Sequence, residues 1–244
     1  MSGNAALAGK VVLVAGASSG MGRATAIAAA AAGASVVLFA RRAEILTEVA
    51  KAIEDDGGTV TTQVGDATDA SAVEAAVDAA VQTYGRIDVL VNSVGTNIRQ
   101  RALTSLTPAG WRELMTTNLD AAYVLTMSVL PVFRRQRDGL LIHITSSAAR
   151  KPDASGVGYQ ASKAGVAALA HATMEEERAN GIRVSVLYPG LTDTPMVELR
   201  PTPPRPEMLA KALQPDDVAR MCFAVMTLPA RAYVPELVLY PVRS

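Results

Sequence analysis

Val11-Val12-Leu13-Val14-Ala15-Gly16-Ala17-Ser18-Ser19-Gly20-Met21-Gly22 runs from five apolar residues into a turn with glycine at 16, 20 and 22, and on into the alanine-rich stretch Ala24–Ala34. A short apolar run bounded by glycine reads as a strand covered on both faces, and the alanine stretch reads as a buried helix. Glycines let the backbone turn tightly and approach a ligand closely. The free N–H groups and positive dipole end of the helix that follows favour a pyrophosphate there. The turn, with Ser18, Ser19 and Met21 between and beside its glycines, is therefore expected to bind a dinucleotide. A purely structural turn is the plainer alternative.

Working outward, β-branched or leucine-rich runs alternate with longer segments of helical period, the pattern of parallel strands joined by crossover helices. Strands are expected at Val11–Ala15, Ser35–Ala40, Thr59–Val64, Val89–Ser93, Leu140–Thr145, Arg183–Leu187 and Tyr233–Leu239. Helices are expected at Met21–Ala32, Ala43–Asp56, Ser71–Tyr84, Pro108–Gln136, Gly158–Asn180 and Pro215–Leu228. Pro108 after Thr107 is a helix-start signal, and Gly181 after Asn180 a helix-stop signal. The expected fold class is α/β: one doubly wound domain over residues 1–244, with a seven-stranded, mostly parallel sheet and helices on both faces. The composition breaks only where prolines gather between Pro195 and Pro215. That stretch, about 191–214, is expected to be a loop beyond the sixth strand. Ligands of open parallel sheets sit past the carboxyl ends of the strands, so the loop is placed to act as a lid.

Composition excludes several classes. Half of the 244 residues are hydrophobic and 19% are charged, which suits a large buried core rather than a disordered chain. Lys plus Arg equals Asp plus Glu at 23 each, leaving no excess positive charge to hold a nucleic acid or an anionic membrane. A single cysteine, Cys222, forms no internal disulfide, and two histidines, His143 and His171, are too few for a zinc cluster, so no metal is expected. Met1–Gly9 carries no leader pattern, and Ala24–Ala34 falls well short of the roughly 20 residues of a membrane span. A cytoplasmic setting fits these features best.

The end of the second strand selects between dinucleotides. A carboxylate there would accept hydrogen bonds from a free ribose 2′-hydroxyl, but the chain reads Ala40-Arg41-Arg42. A guanidinium holds a 2′-phosphate by charge-assisted hydrogen bonds, so NADP(H) is expected, with Arg41 the stronger candidate and Arg42 either a second contact or merely solvated. In Gly65-Asp66-Ala67, at the end of the third strand, Asp66 is placed to accept from the adenine amino group or to cap its own loop. Tyr159 and Lys163, four residues apart at the head of a helix, share one face. An ammonium about 4 Å from the phenol would be worth about 4 kcal/mol at an effective dielectric near 20, or roughly three pK units off tyrosine's usual value near 10.

The joint pattern resembles the short-chain dehydrogenase/reductase family, an NADP-preferring Rossmann-fold group in this variant, from the Gly16 turn to Met196. The family's glycine motif aligns with Gly16, Gly20 and Gly22, its segment after the fourth strand with Asn92-Ser93-Val94-Gly95, and its long-helix asparagine with Asn118. Its serine aligns with Ser146, its Tyr-x-x-x-Lys signature with Tyr159 and Lys163, and its segment after the sixth strand with Pro189-Gly190, Thr192 and Thr194. The resemblance implies an oxidoreductase that interconverts a carbonyl and an alcohol by hydride transfer. In it, Tyr159 is the general acid or base, Lys163 lowers its pKa and binds the nicotinamide ribose, Ser146 donates to the substrate oxygen, and Asn118 holds a water linking Lys163 to solvent. It also implies that Gly16, Ser18, Ser19, Gly20, Met21, Gly22, Arg41, Arg42, Asp66, Ala67, Asn92, Gly95, Tyr159, Lys163, Pro189, Gly190, Thr192 and Thr194 contact the cofactor. The plain readings are a helix-start serine for Ser146 and an interior polar contact for Asn118.

Departures from the family pattern are Ala15 before the glycine turn, Ser93-Val94, Ser19 before Gly20, and a tail, Val234–Pro241, without the usual Asp-Gly-Gly. Pairing of subunits through Pro108–Gln136 and Gly158–Asn180, as a dimer or tetramer, is a further implication. Substrate signals are thin: Arg99, Arg101, Arg150 and Lys151 fall in the pocket loops, where one could hold a substrate carboxylate or all could be solvated. His143 and Cys222 read as interior packing. The alternatives are a dinucleotide sensor without turnover and an NAD-dependent alcohol dehydrogenase. A sugar-nucleotide epimerase would need a larger C-terminal part, and a methyltransferase would share only the glycine turn.

Overall fold

The computed structural model describes residues 5–242, so the first four residues of the Met1–Gly9 leader reading and the last two of the 1–244 range lie outside the described residues. Seven strands join one sheet in the order β3-β2-β1-β4-β5-β6-β7. They are β1 Val11–Ala15, β2 Ser35–Ala40, β3 Thr59–Val64, β4 Val89–Asn92, β5 Gly139–Ile144, β6 Ile182–Pro189 and β7 Glu236–Leu239. Every neighbouring pair is parallel, so the sheet is wholly rather than mostly parallel. Side chains alternate across it: Val11, Leu13 and Ala15 enter one core, and Val12 and Val14 the other.

The helices are α1 Gly20–Ala31, α2 Ala43–Asp55, α3 Ala70–Tyr84, α4 Pro108–Met115, α5 Ala121–Gln136, α6 Val157–Glu177, α7 Pro206–Leu209 and α8 Pro215–Met226. Buried residues of α3, α5 and α6 fill the first core, and those of α1, α2 and α8 the second. Caps set several limits. Asp69 accepts from the Ser71 and Ala72 N–H groups at the head of α3, Thr107 from Gly110 ahead of Pro108, and Gly85 closes α3 in the left-handed region. Arg137, at φ 53, is the one non-glycine residue with positive φ among those described, and it ends α5.

Three expectations are corrected. The segment Pro108–Gln136 is not one helix: a wide π-type turn over Thr116–Asp120 separates α4 from α5. Such turns insert one residue without changing the apolar periodicity that sequence reading relies on. Strand β7 starts at Glu236 rather than Tyr233, and the proline-rich stretch contains a 3₁₀ turn at Pro195–Leu199 and the short α7 rather than unbroken loop. The first turn of each begins at a proline, whose fixed φ suits a helix start. Among the described residues no helix is long and apolar enough to cross a membrane.

Where β1 and β4 begin, at the edge of the sheet remote from their carboxyl ends, Asp88 is buried and takes hydrogen bonds from Lys10 Nζ (2.8 Å), Arg86 Nε (2.9 Å) and the Val11 N–H (3.0 Å). Burial alone would raise its carboxyl pKa, but those donors, Arg86 first, outweigh it and hold the group below the usual carboxylate range. A folded pKa below the unfolded value of about 3.9 contributes stability above that value and loses it as pH falls through the folded pKa. Resistance to urea should therefore fall below about pH 4. Asp88→Asn should lose about 1–3 kcal/mol at pH 7 and show a flatter acid limb; an unchanged acid limb would remove Asp88 as its source.

Candidate active site

The glycine turn is built by backbone packed on backbone. Gly16 (φ +81) sits so close to the end of β4 that a Cβ on it would stand 2.8 Å from the Ser93 carbonyl oxygen, and a Cβ on Gly22 would stand 2.3 Å from the Gly16 oxygen. Neither position admits a side chain without displacing main chain. The turn thereby delivers the open N-terminus of α1 to the carboxyl edge of the sheet, where it faces a cleft of about 330 Å³. Ser18, Ser19, Gly20 and Met21 line the cleft with Gly16, and across it stand Arg41, Arg42, Asp66, Ala67, Gly95 and Thr194. Gly20 keeps φ +54 and faces the Thr194 methyl. A glycine turn at a helix N-terminus, in a cleft that two guanidiniums also line, fits an elongated, phosphate-bearing ligand such as a dinucleotide.

The charged end differs in detail from the sequence reading. Arg42 is more than solvated: its Nη2 donates to Ser18 Oγ at 2.9 Å, tying the end of β2 to the glycine turn. Arg41 is exposed, 3.6 Å from Asp66 Oδ2. The other oxygen of Asp66 accepts from the Thr68 N–H and hydroxyl, both at 2.9 Å, and these bonds, the backbone one first, hold its carboxyl below the usual range. The loop-capping reading of Asp66 is thus formed, with its free side on the cleft.

Two expected cofactor contacts lie beneath the cleft instead. Gly22 is buried against Gly16. Asn92 is buried, its Oδ1 accepting from the Val94 N–H (3.0 Å) and its amide meeting His143 Nδ1 (3.2 Å), so it shapes the 93–95 turn from below. His143 is fully enclosed, and burial drops its pKa to about 4, leaving a neutral ring.

A smaller cavity opens beyond the first. Ser146, Tyr159, Pro189, Gly190, Thr192 and Thr194 line it together. Gly190 is fixed by its N–H to the Leu239 oxygen at 2.7 Å, and Thr192 by its hydroxyl to the Gly190 oxygen at 3.1 Å. Ser146 follows β5 and heads a 3₁₀ turn, where its Oγ accepts from the Ala148 N–H at 3.2 Å. The helix-start role therefore coexists with its place in the cavity.

Tyr159 and Lys163 share one face of α6, but the electrostatics run against the expectation. Lys163 Nζ lies 5.9 Å from the centre of the Tyr159 ring and 3.4 Å from the Val94 oxygen, to which it donates. Both side chains are buried. Burial pushes the Tyr159 phenol above its usual pKa, with Asp153 adding to the rise and the Ser146 hydroxyl, Arg101 and Arg200 opposing it. Burial also lowers Lys163 to about 8. Burial thus outweighs the Ser146 hydroxyl and the two guanidiniums, and the phenol stands above rather than below its usual pKa. Gly95 makes the lysine's seat: a Cβ there would lie 2.6 Å from Nζ.

Asn118 lies in the wide turn between α4 and α5 and is almost fully buried. Its Oδ1 accepts from the Thr96 N–H (2.7 Å), and its amide donates to the Thr96 oxygen (3.1 Å) and Ser162 Oγ (2.9 Å). The side chain is thus held by protein groups, which forms the interior polar contact. Ser162 escaped sequence reading because a serine inside a helix carries no signal of its own. Arg200, on the small cavity, likewise carries no sequence signal, whereas Arg101 is one of the four basic loop residues expected near the substrate.

Comparison with known proteins agrees with this geometry. A family model described as short chain dehydrogenase matches residues 10–203. The 3-oxoacyl-acyl-carrier-protein reductase FabG of Thermotoga maritima is 33% identical over 220 residues, covering 88% of this chain and 89% of that protein. A metagenomic short-chain oxidoreductase solved in complex with NADP superposes with a TM-score of 0.84 at 32% identity, over 98% of this chain and all of that one. An alcohol dehydrogenase of the archaeon Thermococcus sibiricus complexed with 5-hydroxy-NADP gives 0.87 at 28% identity, over 96% and 97% of the two chains. The chain belongs to the short chain dehydrogenase family, oxidoreductases of carbonyl and alcohol groups that work with a nicotinamide dinucleotide.

Proposed function

We propose that residues 1–244 act as a single domain that reduces a ketone or aldehyde to an alcohol with NADPH. The observation that carries this reading is the convergence of Ser146 and Tyr159 on one small cavity beside a glycine-turn cleft that Arg41 and Arg42 also line. When bound, the dinucleotide supplies the hydride. Because Ser146 Oγ already accepts from the Ala148 N–H, its own proton is free to donate to a carbonyl oxygen as charge develops there. Tyr159 gives that oxygen its proton. The burial that raises its pKa keeps the phenol in the donating form, which suits reduction. Lys163, fixed by Val94, is placed to bind the nicotinamide ribose, and Asn118 holds the Thr96 loop against α6 as a positioning residue.

NADP(H) rather than NAD(H) is proposed because both residues after β2 are arginines and Asp66 faces Arg41 instead of standing alone. The family relatives solved with NADP and 5-hydroxy-NADP support it. A cytoplasmic setting, where NADPH is supplied, goes with this reading. So does a homo-oligomer formed through α5 and α6, since Tyr123 and Met127 leave apolar surface exposed on α5.

Calorimetric titration should find NADPH bound more tightly than NADH, and Arg41→Asp should weaken NADPH about ten- to hundred-fold, the worth of a hydrogen-bonded charge. Equal binding of the two would overturn the NADP assignment. Tyr159→Phe should cut NADPH-dependent ketone reduction about 10²–10⁴-fold while leaving NADPH affinity within about threefold; full turnover in that variant would remove Tyr159 as the acid. Light scattering should give a multiple of the subunit mass, and a monomer would refute the assembly.

A further inference from the structure

Of the four basic residues that the sequence brings to the substrate loops, the structure buries one. Arg99 and Lys151 are exposed, and Arg150 pairs with Glu236, but Arg101 is only 6% exposed. Its Nε donates to the Ile98 oxygen (2.9 Å) and its Nη2 to the Leu199 oxygen (2.5 Å), while Nη1 has no protein partner among the described residues. Backbone carbonyls neutralise no charge, and among those residues no carboxylate pairs with this guanidinium. Burying a cation without a counter-charge is costly, so such a group is retained where something else supplies the charge.

A second guanidinium lines the same cavity. Arg200, half-buried, stands with Arg101 on the wall shared by Ser146 and Tyr159 and repels it: burial and Arg200 both pull the Arg101 pKa down, against Tyr159 and Asp153. Asp153 is the one acid on that wall among the described residues, and it is exposed, with Oδ1 accepting from the Ser155 N–H at 2.8 Å. Two cations therefore face one solvated anion. The cavity measures about 90 Å³, room for a compact polar group such as a carboxylate. The sole amide beside them, Asn97, is buried and committed to the Ser155 oxygen and the Ile98 N–H.

We propose that Arg101 and Arg200 form a subsite for a carboxylate of the substrate, so that this protein acts on short oxo acids and the corresponding hydroxy acids. The assignment rests on the oxidoreductase reading above. It makes Arg101 a carboxylate ligand that also fastens the lid, since its Nη2 and that of Arg99 hold the Leu199 and Glu198 carbonyls of the turn at Pro195–Leu199. Arg200 lies just past that turn, so the lid and the charge arrive together.

The test uses the NADP-loaded protein with two probes, malonate and its neutral isostere malonamide, followed by calorimetry and thermal unfolding. Malonate should bind and raise the unfolding temperature while malonamide does neither. Arg200→Gln should weaken malonate about ten- to hundred-fold, and Arg200→Lys should restore part of it. Equal effects of the two probes, or malonate binding indifferent to Arg200→Gln, would overturn the subsite. NADPH oxidation by oxo acids of three to six carbons and their methyl esters separates the two readings. A preference for the acids that narrows in Arg200→Gln supports both. Turnover of esters as good as that of the acids overturns the subsite and keeps the oxidoreductase. Arg200-dependent malonate binding with no turnover of any carbonyl keeps the subsite and overturns the oxidoreductase.

Discussion

The active edge of this molecule depends on main chain packed directly on main chain where β1 and β4 end. Gly16 lies on the Ser93 carbonyl and Gly22 on Gly16, contacts that leave no room for a single carbon atom. From that contact follow the direction in which α1 points, the width of the cleft at its N-terminus and the level at which the 93–95 turn crosses the sheet. Lys163 reaches the same turn from α6, held at Val94 and admitted by the absence of a side chain on Gly95. The cradle and the lysine are thus two faces of one backbone crossing, and neither could move without the other.

Beneath that crossing runs a line of buried polar groups. The Asn92 amide is a donor, so His143 Nδ1 accepts from it and the ring carries its proton on Nε2, 3.5 Å from the Thr126 hydroxyl. Asn118, Thr96 and Ser162 make a second line beside it. Each group is satisfied by its neighbour, which is how a fully buried site keeps polar residues without the penalty of unmade hydrogen bonds. The same enclosure governs charge. Removal from water lowers the Lys163 pKa and raises that of Tyr159, which the Ser146 hydroxyl and two guanidiniums correct only in part.

Much of this was legible in the sequence, for stated physical reasons. Apolar runs bounded by turn residues located β1 and β2 to the residue, because a strand covered on both faces has little freedom in composition, and the β-branched run Thr59–Val64 located the half-exposed edge strand β3. The glycine turn was legible because its neighbours fix its context. What escaped reading was whatever depends on distance rather than spacing. The wide turn at Thr116–Asp120 leaves the apolar period of the long segment nearly intact, so nothing in the pattern breaks where the helix does. Four-residue spacing put Tyr159 and Lys163 on one face but said nothing of how deeply both are buried, and depth decided the sign of the tyrosine's shift. Asn118 and Asp66 stood out in the sequence, while their hydrogen-bond partners Thr96, Ser162 and Thr68 did not, because no motif encodes which hydroxyl or main-chain group a folded side chain meets.

The strand order carries a consequence for how the chain is made. Residue Leu13 pairs with Val37 on one side, but on the other with Leu90, more than seventy residues later. During synthesis the first three strands and their helices emerge with the inner edge of β1 unpaired, an apolar row awaiting a partner. Closing such a long loop is slow compared with forming the local units, and an open parallel edge is exposed to other chains meanwhile. The cradle cannot exist in that interval, since Gly16 packs on the Ser93 carbonyl and the turn after β4 lines the cleft. A nascent chain therefore has no cofactor to lean on until about residue 95 has left the ribosome, and α1, α2 and α3 must cover the early sheet without it.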